Sequence, residues 1–356
     1  MHSFIHHAKH LNSSRLFYLT SLLLLCFAKA AVAQNTPTIS GGVGFLNSTN
    51  AGANFFQPVV SPVVVAPLGK DFLAESRFYF EEFVGRKNGT SGPYEGTFIK
   101  DTQYLQLDYL ASSHLTVVGG RYLTPFGTYN ERLAPIWIQK FQDAPLISAI
   151  GTRTTGSSDG GMIRGVLLSR PNAQVNYVGY FSASSSVSQF QAARAMGDRI
   201  EVYFPNKRIE IGTSYARFLQ GTHNNSFGAH FWWLPPSSPL QVRSEYAHSE
   251  HAQGYWIETT YRLSQWRGPE SFVGRIEPLF RMQQTFRNSP SPGDGLPAAD
   301  TQQADFGLQY HLPHEVRVNT SYSRKFSSPN GTNGNANIWD MSITYRFLFP
   351  MWRGKE

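Results

Sequence analysis

From about residue 38 onward, large apolar side chains alternate with polar ones along most of the chain. Phe227, Ala229, Phe231 and Trp233 interleave with Gly228, His230 and Trp232. Tyr255, Ile257, Thr259 and Tyr261 interleave with Trp256, Glu258, Thr260 and Arg262. At the C-terminal end Trp339, Met341, Ile343, Tyr345 and Phe347 interleave with Asp340, Ser342, Thr344 and Arg346. A period of two with one apolar face signals β-strands, because successive side chains point to opposite sides of a pleated sheet. The pattern predicts sixteen strands, at about 38–46, 58–66, 71–84, 98–111, 114–123, 159–169, 174–184, 197–204, 208–218, 225–234, 239–248, 253–264, 271–283, 303–311, 315–325 and 337–348.

The segments between them fall into two alternating classes. One is tight and turn-rich, as in Pro67–Lys70, Pro171-Asn172, Pro205-Asn206 and Pro235–Pro239. The other is generally longer and polar, at 47–57, 85–97, 124–158, 185–196, 284–302 and 326–336, with two short members at 219–224 and 249–252. Short and long connections in alternation, with an even strand count, predict a transmembrane antiparallel up-and-down β-barrel. A two-sheet sandwich would also alternate. Its interior would have to be apolar, whereas here one face is heavily charged and the other is rich in Trp, Tyr and Phe near strand ends, as membrane-interface girdles require.

The ends of the chain fix the route of export. Lys9 and Arg15, the apolar run Leu16–Phe27 and Ala31-Val-Ala33 make a signal peptide over 1–33, leaving 34–356 as a single barrel domain. The only cysteine, Cys26, lies in that segment, and Leu25 before it is too large for a usual lipoprotein acceptor site. Mature charge is then 28 − 24 = +4, since three of the 31 basic residues and none of the acids leave. So small an excess, with no basic stripe, argues against a nucleic-acid partner. The expected partners are outer-membrane lipid and lipopolysaccharide, and small hydrophilic solutes or anions.

On the polar parity the predicted pore-lining residues include Arg77, Arg164, Arg199, Glu201, Arg243, Glu245, Glu258, Arg262, Arg275, Glu277, Arg281, Arg317 and Arg346. Ten cations face ten anions in all, and four pairs recur as R-x-E: Arg199/Glu201, Arg208/Glu210, Arg243/Glu245 and Arg275/Glu277. Residues two apart share a face, so these read as ladders that stiffen the wall. Arg208, Arg262, Arg317 and Arg346 fall near the short-turn end, where a positive vestibule with a slight anion preference is expected. No catalytic motif, metal-ligand spacing or cofactor signature stands out. His248-Ser-Glu-His251 fits no metal motif and reads as a loop, and the chain is not expected to be an enzyme.

The longest connection, about 124–158, is aromatic and proline-punctuated. A connection of this length is unusual unless functional. Pro135 suits the first turn of a short helix, Ile136–Phe141. Folded inward, the loop would bury Trp137, Ile138 and Phe141 against the wall and narrow the pore, with Tyr129, Glu131, Arg132, Lys140 and Asp143 facing the water path.

The stretch Gly120-Arg-Tyr-Leu-Thr-Pro-Phe-Gly127, followed by Asn130-Glu-Arg132, resembles the phosphate-selective porin O/P group of bacterial outer-membrane porins. That resemblance implies a sixteen-stranded barrel, a homotrimer, and a third external loop folded into the lumen. It also implies solute-contacting roles for Arg121, Glu131 and Arg132. The chain departs from the group in its balanced wall and in the residues Pro350–Glu356 that follow the aromatic Tyr345-Arg-Phe347. Two functions fit: a passive channel for small hydrophilic solutes, or a structural or adhesive barrel with a closed lumen.

Overall fold

The computed structural model describes residues 36–152, 156–184, 192–220, 223–291, 293–327 and 335–351. The expected signal peptide lies outside the described residues. Sixteen antiparallel strands form one closed ring. In chain order they are β1 (Thr38–Asn50), β2 (Ala53–Leu68), β3 (Phe72–Arg86), β4 (Tyr94–Ser112), β5 (Leu115–Leu123), β6 (Ser157–Arg170), β7 (Ala173–Ala183) and β8 (Ala195–Phe204). They continue as β9 (Ile209–Phe218), β10 (Asn225–Trp233), β11 (Leu240–Ser249), β12 (Ala252–Tyr261), β13 (Ile276–Arg287), β14 (Thr301–His311), β15 (Val316–Ser327) and β16 (Ala336–Pro350). Each strand pairs with its sequence neighbours, and β1 closes on β16 from Thr38↔Pro350 to Asn50↔Ile338.

The alternation is realised as an inside and an outside. Along β12, Gly254, Trp256, Glu258 and Thr260 are buried, while Ile257 between them is exposed. Exposed apolar side chains recur around the ring, among them Phe227, Met282, Phe306, Met341 and Ile343. Aromatic pairs mark both rims: Tyr322–Trp339 and Tyr215–Phe227 on one, Phe72–Tyr109 and Phe347–Phe349 on the other. A closed barrel satisfies every backbone hydrogen bond internally, so an apolar exterior of this kind spans a bilayer.

The connections differ from expectation in three places. Residues 47–57 were expected to hold a long loop, yet β1 and β2 run on to a two-residue turn at Ala51-Gly52 with both φ angles positive. That turn type matches the twist of paired strands and lets a hairpin extend beyond the membrane. On the opposite rim, 262–275 forms a long connection with a helical turn at Ser264–Arg267 and a 3-10 turn at Val273–Arg275. The predicted strand 271–283 therefore starts only at Ile276, because the Arg275 N–H bonds the Ser271 carbonyl at 3.1 Å and the Gly274 N–H bonds the Ser271 hydroxyl at 2.9 Å, closing a turn. Finally, Ile136–Phe141 is not a helix. The Pro135 carbonyl accepts from the N–H groups of Ile138 (2.8 Å) and Gln139 (2.9 Å), closing a single turn, and among the described residues the helical piece of that connection is a five-residue π-turn, Tyr129–Leu133.

Candidate permeation pathway

Period-two alternation assigns the charged side chains to the inner wall, but it does not say which charges meet. Of the four R-x-E pairs, only Arg199 and Glu201 approach each other directly, at 3.3 Å. Arg243 instead reaches Glu258 on the neighbouring strand at 3.5 Å, and Glu245 accepts from the Thr128 N–H at 2.9 Å. Arg208 sits in a turn at φ 50° rather than in β9, while Glu210 takes Arg132 at 2.5 Å. Arg275 lies in the 3-10 turn and pairs with Glu270 at 2.9 Å, whereas Glu277 takes Lys140 and His311, both at 2.6 Å. The ladder reading is thus corrected: the wall acids turn to cations of the connection 124–156 and of neighbouring strands, because the connection delivers guanidinium and ammonium groups with better geometry than a same-strand neighbour.

That connection is pinned at many points. Arg199 pairs with Glu131 and donates to the Gly127 carbonyl at 2.9 Å. Arg132 bridges Glu201 (2.8 Å) and Glu210 (2.5 Å), with its guanidinium 5.3 Å from the Trp232 ring centroid. Lys140 also donates to Gln309 at 3.1 Å. Arg281 pairs with Asp305 at 2.7 Å, donates to the Asp143 carbonyl at 3.0 Å, and lies 4.7 Å from the Phe141 ring centroid. Arg317 donates to the Ile136 carbonyl at 3.2 Å, and Gln142 donates to the Asn47 carbonyl on β1 at 3.2 Å. Tyr129 accepts from Gln139 at 3.2 Å. Burial pushes the Asp143 carboxyl above its ordinary value, with Arg281 opposing the shift.

Apolar side chains of the connection seat on glycines of the wall. A Cβ on Gly42 of β1 would lie 2.8 Å from Trp137 and 3.2 Å from Ile136. One on Gly228 would lie 3.1 Å from Phe126, and one on Gly307 3.1 Å from Phe141. Ile136 is buried with Leu46 and Val59, with Trp137 and Tyr79 packed alongside. Phe126, Leu133, Ile147 and Ile150 are buried with Trp256. Gly42→Leu is therefore expected to unseat this turn. With Cys26 replaced by Ser, an Ile136→Cys side chain should react with a water-soluble thiol reagent markedly faster when Gly42→Leu is added.

The remaining predicted residues lie elsewhere. Arg121 was assigned to the constriction, but it belongs to β5, with Nε donating to the Thr102 carbonyl at 2.6 Å and Nη1 paired with Asp159 at 2.9 Å. Arg164 pairs with Asp108, and Arg77 lies under the Tyr104 ring, 5.3 Å from its centroid. Arg262, just past β12, donates to the Gly274 carbonyl at 3.2 Å. Arg346 is exposed near the end of β16. Trp232, on the polar parity of β10, stacks on Arg132 and Arg243 inside.

His248 is part of β11, and His251, in the two-residue turn after it, bonds Asn224 at 2.7 Å and the Ser289 carbonyl at 2.8 Å, tying three connections together. Beside it Asp294 is pushed up by burial but held below its ordinary value by Arg287 at 2.5 Å and by the Leu296 N–H. The residues with metal-ligand geometry are Glu201, Glu210 and His230, whose ligand atoms lie within 4.8 Å of one another. The Arg132 guanidinium bonds both of these carboxylates and is the cation that they hold.

No family model matches the chain, and no curated relative matches it. Solved structures do. OmpF of Salmonella typhi, determined with daunomycin, aligns with a TM-score of 0.60 at 12% identity, over 88% of this chain and 98% of that one. OprB of Pseudomonas putida at high pH aligns with 0.60 at 11% identity, over 90% and 96%. The anion-selective porin of Comamonas acidovorans aligns with 0.52 at 10% identity, over 87% and 98%. The chain has the sixteen-stranded fold of bacterial outer-membrane porins.

Proposed function

We propose that the chain is a general porin: a water-filled channel for passive diffusion of small hydrophilic solutes and ions, with the connection 124–156 folded across its lumen as the constriction. The observation that carries this reading is the span of the loop's contacts. Gln142 bonds Asn47 on β1, while Arg132 pairs with Glu201 on β8 and Glu210 on β9. In a ring of sixteen strands, β1 and β9 lie half the circumference apart. Bonds from one segment to the Asn47 carbonyl and to the Glu201 and Glu210 carboxylates support a path across the interior. Homotrimer assembly and contact with lipopolysaccharide belong to the same reading.

A phosphate preference of the kind implied by the stretch from Gly120 to Gly127 would need uncommitted cations. Arg121 and Arg132 are committed to Asp159, Glu201 and Glu210, which weighs against it. The closed-barrel alternative draws on the dense packing under the loop. Reconstitution in planar bilayers separates the two. Discrete conductance steps are expected, and a folded but silent barrel would sink the channel reading.

A further inference from the structure

The loop does not fill the lumen evenly. Against β11–β13 the space between loop and wall, lined by Leu133, Phe141, Arg243, Trp256 and Arg281 among others, amounts to about 10 Å³. That is about enough for one water. On the side of β1–β4 a cavity of about 270 Å³ opens between the loop and Ser48, Gln57, Tyr79 and Glu81. A second of about 170 Å³ adjoins β3–β6 beside Glu75 and Arg164. Toward the rim of the long connections a further cavity of about 360 Å³ lies between Ala149–Gly151 and the ends of β9–β11; at the level of Arg243 and Trp256 the wall is packed and the open space lies toward β1–β6.

Charge is divided in the same way. The packed side holds Arg132, Lys140, Arg199, Arg243 and Arg281, each paired with an acid. The larger cavity is lined by two ionisable acids, Glu81 on β3 and Asp143 on the loop, and by no cation. Neither carboxylate has a cation within ion-pair distance among the described residues. The cations whose field reaches Asp143 are Arg281, already held by Asp305, and Lys325. In the second cavity Arg164 is neutralised by Asp108, while Glu75 accepts only from the Gln106 amide, at 3.2 Å.

We infer that permeation follows the β1–β4 wall past Glu81 and Asp143, and that these two side chains make the channel prefer cations. This rests on the channel reading and deepens it. Two uncompensated carboxylates facing a narrow aqueous path raise the local concentration of cations and exclude anions, and low-dielectric walls strengthen the effect.

The test uses the refolded full-length barrel. In a salt gradient the wild-type reversal potential should report cation preference. Glu81→Gln with Asp143→Asn should bring the cation-to-anion permeability ratio down several-fold, toward unity, while Glu95→Gln at the exposed start of β4 should leave it unchanged. Anion preference in the wild type, or a ratio untouched by the double variant, overturns the inference while the channel reading stands. A silent barrel overturns the channel reading, and a second measurement then judges the inference separately. Gln57→Cys, facing the same cavity, should react several-fold faster with a trimethylammonium methanethiosulfonate than with its sulfonate analogue. That advantage should vanish in the double variant, and equal rates with both acids in place would overturn the inference without any current being measured.

Discussion

Removal of Tyr129 to Ala144 is expected to raise single-channel conductance several-fold while leaving a folded barrel. The segment contributes no strand, so all sixteen ladders survive its loss. It does contribute the side chains that fill the β11–β13 half of the lumen and the groups that pin it, Arg132 and Lys140. Without it, Glu201, Glu210 and Glu277 lose Arg132 and Lys140 but keep Arg199, His230 and His311 and gain water, so their charges are re-solvated rather than stranded. A buried pair broken from one side would cost about 3–5 kcal/mol; here the newly opened lumen spares most of that. Unchanged conductance would mean that the loop does not lie in the current path.

Ile343→Arg should be the most damaging single change to the outer surface. Ile343 lies at the centre of β16, is exposed, and has Trp339 toward one rim and Phe347 toward the other. A guanidinium at the bilayer midplane on the lipid face costs about 2–4 kcal/mol, falling to about 0–1 kcal/mol near the interface. Phe349→Arg, on the same face but near the end of the strand, is therefore the matched comparison. Reversible urea unfolding in phospholipid vesicles would show the depth dependence. Equal costs at the two positions would contradict the orientation of β16 across the membrane.

The strands were legible because the physical requirement for each is local. A wall that faces lipid on one side and water on the other must alternate, and Tyr255–Tyr261 or Trp339–Phe347 cannot be read otherwise. Even the inward parity of Trp256, odd for a girdle residue, was visible, and it is buried at 1% exposure against the loop. Boundaries failed where alternation continued without a membrane or stopped without a marker. The β1–β2 hairpin runs past the point where its residues turn polar, and Phe272-Val-Gly-Arg275 alternates correctly yet folds as a turn. Apart from Arg199–Glu201, the ion-pair partners were not legible. Whether Glu245 meets Arg243 or the Thr128 N–H depends on where a distant segment seats, and period two carries no information about that. The one missed signal was glycine: Gly42, Gly228 and Gly307 on inward positions mark where the wall is hollowed for Trp137, Phe126 and Phe141.

Closure of β1 on β16 has a consequence for biogenesis. Thr38 and Pro350 are partners 350 − 38 = 312 residues apart, so this seam is the most non-local contact in the molecule. Bringing such distant ends together costs about 5 kcal/mol of chain entropy by the logarithmic loop law. Until the seam forms, both terminal strands present open edges that can template pairing with other chains. A chain shortened before Ala336 would keep fourteen of the sixteen seams but lose the ring, and should accumulate as edge-paired aggregates rather than as a leaky pore. β16 thus decides whether β1, already paired with β2, has a partner on its second edge.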